Sequence, residues 1–207
     1  MQLDSTLEAM RAALAGHRPR ESRWSLEGRT SAGVAVPLHD GGAGAEVLMI
    51  KRTDTMRHHA REVAFPGGRA DPEDRDLLET ALRETHEELA LAREDLEVLG
   101  ALSPVPTATS HYLLHPFLVV VAPHAQADPH PGEVEAVIRM PVADFFAGRV
   151  SYRAVHFGDW DSPIFDFEVG SMYGASAHVL EELLSIYAEV TGWPMPRPVL
   201  TDRIPWQ

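Results

Sequence analysis

The spacing of apolar and polar positions divides the chain into helical and strand-like stretches. Leu3, Leu7, Met10, Ala13 and Leu14 recur at helical intervals and predict a first helix over about residues 5–15. Residues 30–38 and 46–52 read as strands, divided by the turn-forming Asp40-Gly-Gly-Ala-Gly44. Residues 62–65 predict a short third strand, stopped by Pro66-Gly67-Gly68. A helix follows over about residues 76–91, then strands over 96–102, 114–121 and 134–140. Pro141 leads into a short helix ending near Gly148. Residues 152–157 and 164–167 predict a hairpin, and the last helix covers about residues 175–190. The mixture predicts an α+β fold, a mixed sheet with helices packed on it, in one domain over residues 1–207 with its core over about 30–190.

The helix over 76–91 carries the most unusual pattern. On a wheel Leu78, Ala81, Leu82, Thr85 and Leu89 share about 100° of arc, which predicts the buried face. Glu84, Glu87 and Glu88 share a similar arc centred roughly 120° away, off the apolar face. Asp76 and Glu79 form an Asp-x-x-Glu capping box at its start. Glutamates at i, i+3 and i+4 converge, and like charges at that spacing weaken a helix. Two readings stay open: a solvated acidic face, with Arg83 pairing Glu79 or Glu87, or a site for a hard cation such as Mg²⁺ or Mn²⁺, which prefers oxygen ligands. The glycine pair just before the helix favours the second, because glycine lets the backbone approach a ligand and present a carbonyl.

Composition narrows the field. The chain has 207 residues, 44% of them hydrophobic, enough for a substantial core. It has no stretch of about 18 apolar residues, so no membrane span is expected. Its N-terminal residues alternate as an amphipathic helix rather than as a basic start and an apolar run, so a cytoplasmic location is expected. It contains no cysteine, which excludes disulfides, thiolate metal sites and a cysteine nucleophile. Its eleven histidines show no zinc spacing. A net charge of −13 argues against general nucleic-acid binding, though not against a small anionic substrate met by a cation and a local basic patch. Such a patch exists: Lys51, Arg52, Arg57, Arg61 and Arg69 stand close together, with only Asp54 and Glu62 among them. It is either a phosphate clamp or a solvated loop. Trp24, Trp160, Trp193 and Trp206 are candidates for core or for base stacking.

The pattern Gly68-x5-Asp74-x8-Arg83-Glu84-Thr85-His86-Glu87-Glu88-Leu89-Ala90-Leu91 resembles the Nudix box. Asp74 stands where the box has glutamate, one extra residue precedes Arg83, and Ala90 replaces a glycine. The first two departures also mark a Nudix subgroup, the coenzyme A pyrophosphatases. Alanine at 90 suits a helix that runs on for another turn. The stretch Leu48-Met49-Ile50-Lys51-Arg52-Thr53, then Arg57 and Phe65-Pro66-Gly67-Gly68, is similar to that subgroup's upstream pattern, with Arg61 in place of its usual glycine. Pro104, Thr107, Ser110, Tyr112 and Pro116, and Tyr173 to Ala177, are also similar.

The resemblance implies a Nudix α/β/α sandwich with a central mixed β-sheet and metal-dependent hydrolysis of a diphosphate linkage. It implies Mg²⁺ or Mn²⁺ held by Glu84, Glu87 and Glu88 with the Gly68 carbonyl, and Arg83 orienting those glutamates. Glu87, Glu88 and Glu133 are the candidates for handling the proton of the attacking water. Arg52, Arg57, Arg61 and Arg69 are the candidates for the substrate phosphates. The implied substrate is coenzyme A or an acyl derivative, cleaved to a 4′-phosphopantetheine compound and adenosine 3′,5′-bisphosphate. The alternatives are the same chemistry on ADP-ribose or another nucleoside diphosphate derivative, and a non-catalytic metabolite-sensing module of the same fold. The implied partner is a small nucleotide, and a homodimer is compatible with the sequence.

Overall fold

The computed structural model describes residues 3–18, 25–40, 42, 44–53, 62–157 and 160–204. The chain begins with α1 (Leu3–Ala15), followed by strands β1 (Thr30–Asp40), β2 (Ala45–Arg52), β3 (Val63–Ala64) and β4 (Gly67–Arg69). Helix α2 (Leu77–Leu89) leads through a 3₁₀ turn to β5 (Leu96–Ala101), β6 (Val105–Pro106), β7 (Tyr112–Val121) and β8 (Val134–Pro141). Helix α3 (Val142–Phe146), strands β9 (Ser151–Phe157), β10 (Trp160–Phe167) and β11 (Gly170–Met172), helix α4 (Gly174–Thr191) and strand β12 (Val199–Leu200) complete it. Among the described residues, no helix is long and apolar enough to cross a membrane.

The central sheet is mixed. Its spine runs β3-β2-β1-β7-β5, with β4, β6 and β8 pairing β1, β7 and β2. Strands β1 and β7 are parallel from Thr30↔Tyr112 to His39↔Val121, and the other pairings are antiparallel. Alternation along β1 assigns its two faces. Val34, Val36 and Leu38 point into the larger core with Met10 and Leu14 of α1 and Leu180, Leu183 and Leu184 of α4. Ala35 points the other way, with Leu48, Ile50, Val119 and Val121, onto Ala81, Leu82 and Leu89 of α2. Helices therefore cover both faces of the sheet. A second sheet, ordered β11-β10-β9-β12, contributes Tyr152 and Phe165 to the larger core. The predicted hairpin is its β9–β10 pair.

Strands β6, β11 and β12 are absent from the sequence reading, and two elements next to the acidic helix also differ from it. Pro66-Gly67-Gly68 does not end strand structure: Gly67–Arg69 forms β4, with Gly68 opposite Gly33 of β1. Glycine carries no strand preference of its own, so this strand exists through its pairing with β1. Helix α2 also stops at Leu89 instead of continuing through Leu91, with Ala90 in the left-handed region at φ 53, ψ 22. Alanine takes there the conformation that glycine adopts more readily.

Candidate active site

Helix α2 is placed by its start and by one close packing contact. Asp76 caps it, accepting a hydrogen bond from the Glu79 N–H at 2.8 Å. The predicted capping box forms only by half, because Glu79 Oε2 accepts from the Arg75 N–H at 2.8 Å rather than from Asp76. Against the sheet, a side chain at Gly33 would lie 2.1 Å from the Leu77 carbonyl oxygen, so glycine lets α2 lie directly on β1. That approach brings α2 alongside β4. A side chain at Gly68 would come within 2.4 Å of Glu84 Oε1, so the Glu84 carboxylate rests against the β4 backbone.

Arg83 is the centre of the charge network. Its Nε and Nη2 donate to Asp74 Oδ1 and Oδ2 at 3.1 and 3.0 Å, a two-pronged pair. Its Nη1 donates at 3.0 Å to both Glu84 Oε1 and Glu87 Oε2, and its Nη2 reaches the Arg69 carbonyl at 3.2 Å. The hydrogen bonds from Arg83, with those from Thr80 and the Asp71 backbone, hold the Asp74 carboxyl well below the usual carboxylate range. Asp74 entered the sequence reading only as a departure from a pattern; its place as the anchor of Arg83 was missed. The available signal was an acidic residue in the loop between the glycine pair and the helix.

The wheel is corrected at Glu88. It places the three glutamates together off the apolar face, whereas Glu88 is fully buried beside Leu89. Its Oε1 accepts from Arg52 Nη1 at 2.9 Å and its Oε2 from the Gly67 N–H at 3.0 Å. These partners, supplied by the sheet, explain how a charge tolerates that position. Burial pushes the Glu88 carboxyl up to about 7 despite Arg52 and the Gly67 N–H, with Glu84 and Glu133 adding repulsion. Burial also raises Glu84, partly offset by Arg83. Glu87 is the outermost of the three, its side chain 52% exposed.

The remaining candidates are distributed unevenly. Glu133 lies just before β8, close enough for its charge to disfavour ionisation of both Glu84 and Glu88. Its loop is tied down by Thr53, whose N–H donates to the Glu133 carbonyl at 2.9 Å, and by the His130 N–H on the Glu88 carbonyl at 2.9 Å. Arg52, a candidate for substrate phosphate, is paired with Glu88. Arg69 is exposed at the end of β4. Arg57 and Arg61, with His58 and His59, lie outside the described residues.

Among the described residues, no three histidine, aspartate or glutamate side chains converge at metal-holding distances. The expected convergence of Glu84, Glu87 and Glu88 is therefore not formed by the protein alone. Each carboxylate is paired with a guanidinium, Glu84 and Glu87 with Arg83 and Glu88 with Arg52. The donor set still fits a divalent cation: it is all oxygen and bears an excess of negative charge. Gly68 leaves Glu84 room that a Cβ would fill.

The NUDIX domain family model matches residues 29–160. The chain is 38% identical over 172 residues to the uncharacterized Nudix hydrolase NudL of Cronobacter sakazakii (strain ATCC BAA-894), covering 80% of this chain and 86% of that protein. A protein of the same name from Photorhabdus laumondii subsp. laumondii is 37% identical over 113 residues, covering 55% of this chain and 58% of that protein, little more than half its length. Among solved structures, a MutT/nudix family protein from Enterococcus faecalis aligns at TM-score 0.49 and 13% identity, covering 89% of this chain and 74% of that one.

Proposed function

The chain belongs to the Nudix domain family, and from that premise we propose that it is a hydrolase that cleaves the diphosphate linkage of coenzyme A or an acyl-coenzyme A. The observation that carries the chemistry is the cluster of Glu84, Glu87 and Glu88 on one helix, bracketed by Arg83 and Arg52 and backed by the close-lying Gly68. The substrate class rests on the resemblance of residues 48–68 and of the Asp74 spacing to the coenzyme A pyrophosphatases.

Glu84, Glu87 and Glu88, with the Gly68 carbonyl, would hold Mg²⁺ or Mn²⁺, which supplies polarisation of phosphoryl oxygens and a more acidic water. Arg83 keeps Glu84 and Glu87 side by side, and Asp74 keeps Arg83 in place. Water adds in line to one phosphorus, the bridging P–O bond breaks, and the proton passes to a carboxylate of the Glu87, Glu88 and Glu133 group. Arg69, with Arg57 and Arg61 of the neighbouring basic stretch, holds substrate phosphates.

The test is a screen of coenzyme A, ADP-ribose, dinucleotides and nucleoside triphosphates with Mg²⁺ and with Mn²⁺, read by product identity. Adenosine 3′,5′-bisphosphate should form in equal amount to the pantetheine product, and a chelator should abolish turnover. Far more efficient turnover of ADP-ribose than of coenzyme A would replace the substrate while leaving the chemistry. Binding of a nucleotide with no cleavage of any would favour the sensing module.

A further inference from the structure

We propose that Arg52 is a positioning residue that holds the Glu88 carboxylate in place within the acidic cluster for the cation, rather than a residue that binds substrate phosphate. The inference rests on the hydrolase reading above and adds to it the origin of Glu88's orientation.

The backbone presets Arg52 from both sides. Leu48 and Ile50 of β2 face α2, and alternation carries Arg52 to the same face. Between Lys51 and Arg52 the register with β8 shifts, so that Lys51 pairs with Ala136 but Arg52 with Val134. The extra residue, Glu135, lies on β8, which bends there. Lys51 Nζ is fixed on the bulged Glu135 at 2.7 Å, the Arg52 N–H donates to the Glu62 carbonyl at 3.0 Å, and the Thr53 N–H to the Glu133 carbonyl at 2.9 Å. The guanidinium thus leaves a strand end anchored on three sides, and its side chain is only 16% exposed.

What it meets is a fully buried carboxylate. Glu88 is 0% exposed, and its oxygens are divided between Arg52 Nη1 and the Gly67 N–H. A buried carboxylate that loses its guanidinium partner loses what fixes its orientation. To serve as a phosphate clamp, Arg52 would have to abandon Glu88 at the moment a charged substrate arrives. Thr53, next to Arg52 in the chain, and Glu88 also tie down the Glu133 loop, through the Thr53 N–H on the Glu133 carbonyl and the His130 N–H on the Glu88 carbonyl.

The deciding variant is Arg52→Gln, with Arg52→Lys as the conservative control and thermal unfolding to confirm folding of each. Mn²⁺ alone is titrated into each protein without substrate, following free Mn²⁺ by electron paramagnetic resonance, and coenzyme A hydrolysis is then measured. Arg52→Gln should weaken Mn²⁺ binding and lower kcat by about 10- to 100-fold, the usual cost of losing a group that orients a metal ligand, while KM stays unchanged. Arg52→Lys should recover part of both. Unchanged or tighter Mn²⁺ binding would mean that Arg52 merely repels the cation, and would overturn the proposal. So would a raised KM with kcat and Mn²⁺ binding unchanged, the mark of a substrate contact. If the native protein neither binds Mn²⁺ nor cleaves any diphosphate, the hydrolase reading itself fails and this proposal with it. Native binding with an indifferent Arg52→Gln removes the positioning role alone.

Discussion

Two buried carboxylates approach the central sheet from the helices on its opposite faces. Glu88 of α2 is 0% exposed and Glu182 of α4 is 1% exposed. Glu182 accepts the Ser103 N–H at 3.0 Å on one oxygen; on the other it accepts the Ser103 hydroxyl and stands 2.9 Å from His17 Nε2. These partners join α4 to the segment after β5 and to the residue two positions beyond α1, and Glu182 sits among Val179, Leu183 and Ile186 of the larger core. Glu88 is equally enclosed but shares its surroundings with the charges of Glu84 and Glu133. A carboxylate that only ties elements together gains nothing from acidic neighbours, whereas a cation site requires them. Burial alone does not distinguish the two; the company of other carboxylates does.

The sharpest way to break that comparison is the same isosteric change at each position. Glu88→Gln should cut turnover at least about a hundredfold, the scale of a lost charge contact in the transition state, and Glu87→Gln should do the same. Glu182→Gln should leave turnover essentially unchanged. Full activity in Glu88→Gln, with folding verified by circular dichroism, would move the site off α2. A loss in Glu182→Gln equal to that in Glu88→Gln would erase the distinction.

The second prediction concerns stability. Glu182→Ala leaves the Ser103 N–H without its acceptor and opens a void in the larger core, so unfolding free energy should fall by about 3 kcal/mol. Urea denaturation reads it directly. His17→Ala removes a side chain that is only partly buried and should cost less. Equal costs would mean that the tie between α1 and α4 runs through the histidine more than through the carboxylate.

A third prediction sets the anchor of the α2 face against pH. Asp74→Asn breaks the two-pronged bond to Arg83 and should cost about 2 kcal/mol at neutral pH. The folded protein holds the Asp74 carboxyl below its unfolded value, so its stabilisation is present above the ordinary aspartate pKa and is lost as pH falls through the folded one. The gap between native protein and variant should therefore be constant at neutral pH and close in acid, below about pH 4. A gap that persisted unchanged to pH 2 would assign the loss to packing instead.

Legibility in the sequence follows how local each feature is. Helix α2 and its acidic content were readable because periodicity and capping act within a few residues. The burial of Glu88 was not, because a wheel describes an isolated helix and the arginine that stabilises this charge lies 36 positions earlier. Strand β4 was hidden for the same reason: Gly67-Gly68 reads as a loop until β1 pairs with it. Glu182 carried a fainter signal, an acidic residue inside the apolar stripe of α4 next to Leu183. An acidic residue in such a stripe predicts a buried partner, though not which one. Asp74 was visible as a position but not as a partner, since its bond to Arg83 depends on how the loop before α2 folds back.

The smallest expected effect lies at the end of α2, two residues beyond Glu88, and asks whether that helix is at its best stability. Ala90 holds φ 53 while its N–H closes the helix on the His86 carbonyl at 2.8 Å. The left-handed conformation costs a residue with a Cβ about 1–2 kcal/mol, and glycine avoids that cost. Glycine also adds freedom to the unfolded chain, which returns about 0.4–1 kcal/mol of the gain. Ala90 is exposed, so its methyl contributes little packing to lose. Ala90→Gly should therefore stabilise the protein by about 1 kcal/mol, seen as a higher urea midpoint at an unchanged slope. Turnover should not change, because the cap geometry stays as it is and Glu88 remains held by Arg52 and the Gly67 N–H. A variant less stable than the native protein would show that Ala90 is not strained in solution. A more stable variant with reduced turnover would show instead that the end of α2 must loosen during the reaction, and that the α2 face gives up stability which the α4 face retains.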